Sequence, residues 1–131
     1  MGRGAIRRRL PAGAAVLVAS VLLAIAGPGQ AQAAGQTSCD GRKIRTFSFS
    51  TGSVKLYKNG AYLCAMTFPK RTGGPQWMMV SLKVRGFDEV VDEGLYRRHA
   101  GPVRSYVAGR KVWIKGRVGD GSYDSGGWKR Y

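Results

Sequence analysis

Near the end of this chain Lys111, Trp113, Lys115 and Arg117 alternate with Val112, Ile114 and Val118. In an extended strand a period of two puts the cations and the indole on one face and the aliphatic side chains on the other. Cationic heads beside an aromatic ring can hold phosphates by charge while the ring stacks against a sugar or a base. Lys83 and Arg85 end a second alternating segment, Trp77 to Arg85, in which Val80, Leu82 and Val84 face the other way, and Lys129 and Arg130 add charge at the tail. Lys83, Arg85, Lys111, Trp113, Lys115, Arg117, Lys129 and Arg130 are the expected polyanion-binding set. An ordinary solvated β face is the plainer alternative.

Catalytic chemistry has a thinner basis. His99 is the single histidine, so a hydrolytic arrangement would have to run through it, with Ser105 or Ser81 as nucleophile and Asp88, Asp92 or Asp124 as the orienting acid. No strand-to-helix nucleophile elbow and no helix-borne metal pair accompanies them. The acids from Asp88 to Glu93 are neighbours on one short segment, whereas glycoside hydrolysis needs two carboxyl groups facing each other across a cleft. Asp120 and Asp124 lack the regular ligand spacing of a calcium loop. No catalytic residue, metal ligand or cofactor is assigned. Cys39 and Cys64 are expected to pair, closing a loop of 25 residues.

That pairing needs an oxidising compartment, and the N-terminus predicts one. Arg7, Arg8 and Arg9 precede an uncharged apolar stretch, Ala12 to Ala26, and Ala31-Gln32-Ala33 offers small residues for cleavage, so residues 1–33 are read as a secretory signal peptide. Gly27-Pro28-Gly29 stops the apolar stretch short of the roughly 20 residues that span a bilayer, and no membrane span is expected after cleavage. Four of the 22 basic residues (Arg3, Arg7, Arg8, Arg9) and none of the seven acids lie in the leader, which leaves eighteen basic groups against seven acidic ones, a net +11, on residues 34–131. A surface so charged attracts polyanions and disfavours self-association. Outside a bacterium those polyanions are wall teichoic acids, anionic lipid headgroups and released nucleic acid. No specific nucleic-acid signature surrounds the basic residues.

The elements that must position these groups are strands. Residues 34–45 are polar, basic and aperiodic, and are read as an extended arm tied down by Cys39; residues 46–131 break into short segments rich in Val, Tyr, Phe, Trp and Thr between Gly, Pro, Asn and Asp. The expected fold is all-β, a small single-domain sandwich or barrel of about seven short antiparallel strands with one disulfide. Asn59-Gly60 predicts a type I′ hairpin in which Lys58 pairs with Ala61 and Tyr57 with Tyr62. Val54, Leu56, Leu63 and Ala65 then share one face, while Tyr57, Tyr62, Cys64, Met66 and Phe68 share the other. Asp88 to Gly94 is read as a loop or short hairpin. Further strands are expected at Leu95 to Ala100, Val103 to Ala108 and Lys111 to Val118, followed by a Gly-rich aromatic tail.

Several short motifs carry a family resemblance: Gly52-Ser53-Val54-Lys55-Leu56-Tyr57, Tyr62-Leu63-Cys64-Ala65-Met66-Thr67, Gly94-Leu95-Tyr96, Ala100-Gly101-Pro102-Val103 and the Trp-containing end. From about Gly52 to Trp128 the chain resembles the spore-associated protein A family of small secreted streptomycete proteins. The resemblance implies an exported protein of the spore or aerial-hypha envelope, with no established catalytic role and no site residues to transfer. Members of that family carry a second cysteine pair, and the matching stretches here, Gly109 to Val112 and Trp128 to Tyr131, have no cysteine. A tail without that bridge is expected to be less constrained and to lean on electrostatic contact through Arg110, Lys111, Lys129 and Arg130. The expected function is therefore a secreted, non-enzymatic, basic β-domain of the cell or spore envelope that binds anionic wall polymers. The alternative is a secreted protease inhibitor or toxin-like effector, with Lys70-Arg71 as a basic bait.

Overall fold

The computed structural model describes residues 37–131; the leader assigned to residues 1–33 and the beginning of the arm lie outside the described residues. Eight strands follow in order: β1 Arg42–Phe49, β2 Gly52–Asn59, β3 Tyr62–Pro69, β4 Gln76–Val84, β5 Glu89–Tyr96, β6 Ala100–Tyr106, β7 Val112–Val118 and β8 Gly121–Asp124. They form two antiparallel sheets, one ordered β1-β2-β3-β6 and the other β5-β4-β7-β8. The chain crosses between sheets after β3, β5 and β6. The all-β sandwich is as expected, with eight strands in place of about seven.

Alternation builds the core. Val54, Leu56, Leu63, Ala65 and Val103 of the first sheet meet Met78, Val80, Leu82, Val84, Val112, Ile114 and Val118 of the second in one buried cluster. Complete burial of each larger aliphatic side chain contributes roughly 1.5 to 3 kcal/mol. The sheets approach closely where Val54 meets Gly116, and a Cβ on Gly116 would collide with Val54 Cγ2 and lie 2.7 Å from Thr67 Oγ1. Glycine at that point permits the approach.

Several expectations are corrected by the described residues, among them the strand read at Leu95 to Ala100, which is split: Leu95 and Tyr96 end β5, Arg97 to His99 turn between the sheets, and Ala100 opens β6. The β2–β3 ladder pairs Asn59 with Tyr62, Lys58 with Leu63 and Tyr57 with Cys64, two residues away from the predicted register. Gly60 (φ +62°) takes the first central position of the turn and Asn59 stays in the strand, the preference of a type II′ turn and not of type I′. Because the shift is two residues, every side chain keeps its predicted face. The arm ends earlier than expected: Arg42 to Arg45 already belong to β1, pairing with Lys58, Tyr57 and Leu56 around a bulge at Ile44. Such pairing needs no hydrophobic period on the edge strand, so no period announces it. The acidic segment is also a strand, since Glu89 to Tyr96 pair along their whole length with β4. Its residues alternate only between exposed and half-buried from Val91 to Tyr96, and the inward positions Asp92 and Gly94 are not apolar, so no hydrophobic period marks the strand.

The tail is not loosely held. Val112 and Lys129 exchange two backbone hydrogen bonds of 2.7 and 2.9 Å, and the Ile114 amide donates to Ser125 Oγ at 3.1 Å. Tyr123 stacks on Phe47 with centroids 4.6 Å apart, and Tyr131 approaches the same ring edge-on at 5.9 Å. Backbone pairing and aromatic packing thus close the side of the sandwich between β1 and β8 without a second bridge. Burial is the first cause holding the Tyr123 and Tyr131 phenols above their ordinary 10.0. At the other end of the chain the Cys39–Cys64 disulfide, with Cα atoms 5.6 Å apart, fastens the arm to the outer face of β3. Cys64 and Met66 are buried there too, as expected of a hairpin with two apolar faces.

Candidate functional site

The β4–β7 ladder sets the predicted residues in rows on the outer face of the second sheet. Lys83 stands opposite Trp113, Ser81 opposite Lys115 and Met79 opposite Arg117. The Arg85 amide donates to the Lys111 carbonyl at 2.9 Å, which extends the same register by one row beyond the strands. Six of the eight predicted residues therefore share one face. Lys129 is exposed and pairs through its backbone with Val112, and Arg130 turns its Nε to the Gly109 carbonyl at 2.9 Å.

Charge divides this face into two parts. Acids stand among Lys83, Lys115 and Arg117: Glu89 of β5 is registered opposite Lys83 and lies 3.8 Å from Lys115 Nζ, and Asp124 of β8 is registered opposite Lys115, while Lys83 Nζ donates to the Phe87 carbonyl at 3.1 Å and Arg117 Nε to the Gly119 carbonyl at 2.9 Å. Glu89 also accepts a hydrogen bond from Ser81 Oγ. Glu93, on the same outer side of β5, accepts from Trp77 Nε1 at 2.8 Å. Three cations against three carboxylates leave this strip near neutrality. Asp124 stays ionised here: the Gly126 amide first, and then the Trp113 indole, hold its carboxyl below the ordinary 3.8.

At the open end of the ladder the balance changes. Arg85, Lys111 and Arg130, joined by Arg110, line a basin of about 490 Å³. None of the four is within ion-pair distance of a carboxylate, and the Lys115–Glu89 contact is the sole ion pair among the described residues. Two of the guanidinium groups are braced by aromatic rings: Arg110 Cζ lies 4.9 Å from the Phe87 centroid and Arg85 Cζ lies 6.0 Å from that of Trp128. A cation–π contact orients a guanidinium without neutralising it. Four unneutralised cations at one basin can receive the oxygens of a phosphate or carboxylate with charge-assisted hydrogen bonds.

No family model matches the chain, and neither a curated protein nor a solved structure does. The case for a site therefore rests on its geometry.

Of the predicted polyanion set, Arg85, Lys111 and Arg130 meet in the basin, while Lys83, Trp113, Lys115 and Arg117 line the neutralised strip and Lys129 lies outside both. Trp128 completes the arrangement and escaped the predicted set, and Arg110, expected only in the electrostatic contact of the tail, joins it. Arg110 sits in the turn after Ala108-Gly109, where no strand period marks it, and Trp128 belongs to the tail, whose fold back onto β7 has no local signal. Had Glu89, Val91, Glu93 and Leu95 been read as an alternating strand, the compensation of Lys83 and Lys115 would have been visible.

The other candidate groups are dispersed. His99 Nδ1 lies 3.1 Å from the Gly101 carbonyl, and Asp92 accepts from Tyr96 Oη at 2.5 Å and from the Gly101 amide at 2.7 Å. That carboxylate is the main reason the Tyr96 phenol is held above its ordinary 10.0. Ser81 is engaged with Glu89, and among the described residues His99 makes no hydrogen bond to Ser81, Ser105 or an acid. No three His, Cys, Asp or Glu side chains cluster as metal ligands would among the described residues, and no helix there is long and apolar enough to cross a membrane. Lys70 and Arg71 lie exposed in the β3–β4 loop, with the Arg71 carbonyl accepting from Gln76 Nε2 at 2.8 Å.

Proposed function

We propose that this chain is a secreted, non-enzymatic β-domain of the cell or spore envelope that holds anionic wall polymers through Arg85, Arg110, Lys111 and Arg130. The observation that carries the reading is the convergence of these four cations on one basin, with no carboxylate paired to any of them. The leader-like N-terminus, the disulfide and the resemblance to spore-associated protein A support the location. The net +11 of residues 34–131 supports the class of partner, because a long-range positive field concentrates polyanions near the surface before any contact forms. Backbone pairing around Arg85, Lys111 and Lys129 positions the main chain beneath the cluster, so the ordering cost of binding falls on the side chains.

Fractionation of cells, spores and medium tests this directly. The processed protein is expected in the envelope fraction and is released by a rising salt gradient, as counterion competition requires. Recovery of the uncut chain from cytoplasm, or release that needs detergent and ignores salt, contradicts the reading.

A further inference from the structure

Beside the basin is a second, smaller depression of a different chemistry. Lys83, Glu89, Trp113, Lys115 and Trp128 line about 250 Å³, below the range of drug-sized pockets and suited to a single ring. The two indoles meet at 86° with centroids 5.6 Å apart and form an aromatic corner. Trp113 is held before any ligand arrives, since its Nε1 donates to Asp124 Oδ1 at 2.6 Å while the Gly126 amide donates to the same oxygen at 2.7 Å. Around the corner stand two ammonium donors, Lys83 and Lys115, and one carboxylate acceptor, Glu89.

This combination fits a sugar ring better than a bare anion. A pyranose has an apolar C–H face that packs on an indole, and a rim of hydroxyls that both donate and accept. A nearly neutral strip with donors and an acceptor matches that rim, and would give a phosphate no advantage. The adjoining basin supplies what the corner lacks. The Arg85–Lys111 row is two residues along the ladder from the Lys83–Trp113 row, a separation of about 7 Å at roughly 3.4 Å per residue. Trp128 bridges the two, touching Trp113 on one side and lying under Arg85 on the other.

We infer that the corner and the basin form one bipartite site for a phosphodiester polymer that carries sugar substituents, with a pyranose against Trp113 and Trp128 and its neighbouring phosphate on Arg85 and Lys111. The inference rests on the anion-binding reading of the basin and adds the sugar to it.

Calorimetric titration of the purified protein with two probes separates the two layers. The probes are poly(glycerol phosphate) with glucosyl substituents and the same polymer without them. The glucosylated polymer is expected to bind about tenfold tighter per site, within the range of one stacking contact. It also perturbs indole fluorescence. W113A removes the difference and leaves affinity for the bare polymer in place; W128A is the second variant should W113A fold poorly. R85A/K111A weakens both probes. Equal affinity of the wild type for the two polymers overturns the sugar site and leaves the anion site standing. A glucosyl preference that survives both tryptophan variants overturns its assignment to this corner. Failure to bind either polymer overturns the anion reading and the inference with it.

Discussion

Thr67 shows how a single atom can oppose the fold that contains it. Its side chain is fully buried among Val54, Gly116 and the rest of the core, and Oγ1 has no hydrogen-bond partner. A buried hydroxyl without a partner forfeits its hydration and gains nothing in exchange. Thr67→Val keeps the branched shape and removes the orphaned oxygen, so it is expected to stabilise the protein by about 1 to 2 kcal/mol in urea unfolding. A loss of stability would mean that the hydroxyl is satisfied after all. Thr67 also marks a limit of sequence reading at this scale: its strand and face follow from the period, whereas its lack of a partner depends on the opposite sheet.

At the scale of elements, strands with an apolar covered face are readable, the edge strand β6 among them, whereas the start of β1 and the whole of β5 are not. The cores of β2, β3, β4 and β7 are written in the spacing of Val54, Leu56, Leu63, Ala65, Val80, Leu82, Val112 and Ile114, because a buried face forces apolar residues to every second position. On β1 the bulge at Ile44 breaks the spacing of Ile44, Phe47 and Phe49, which pack on the core, and the charges of β1 and β5 hide both strands. Those charges have their own use. Arg42, Lys43 and Arg45 with a bulge on β1, and Glu89, Asp92 and Glu93 on β5, discourage other chains from pairing with the open edges. The same logic explains the partly wrong site: Lys83 and Lys115 were readable as one face, while the acids beside them came from strands whose placement no local pattern dictates. The disulfide is the other element-scale device, since it closes a 25-residue loop and ties the arm to β3. Cys39→Ala is expected to lower unfolding stability by roughly 3 to 4 kcal/mol on chain-entropy grounds. Unchanged stability in that variant would show that the arm is held by its other contacts.

Across the whole molecule, the excess of positive charge is arranged unevenly. Acids spread along β5 and at Asp124 neutralise the middle of the second sheet's outer face, and the cations at its open end are left without partners. A diffuse field and a local site make different predictions, because only a site loses its contacts when particular residues are removed. The measurement that separates them is the salt dependence of binding to inorganic polyphosphate. It is made on the wild type, on the variant with Arg85, Arg110, Lys111 and Arg130 all changed to Ala, and on a charge-matched control with Lys70, Arg71, Arg97 and Arg98 changed to Ala. The basin variant is predicted to flatten the slope of log affinity against log salt by roughly three units, at about 0.7 to 0.9 per lost phosphate contact, while the control stays close to wild type. Equal losses in the two variants would contradict the account, since binding would then follow net charge and not the basin.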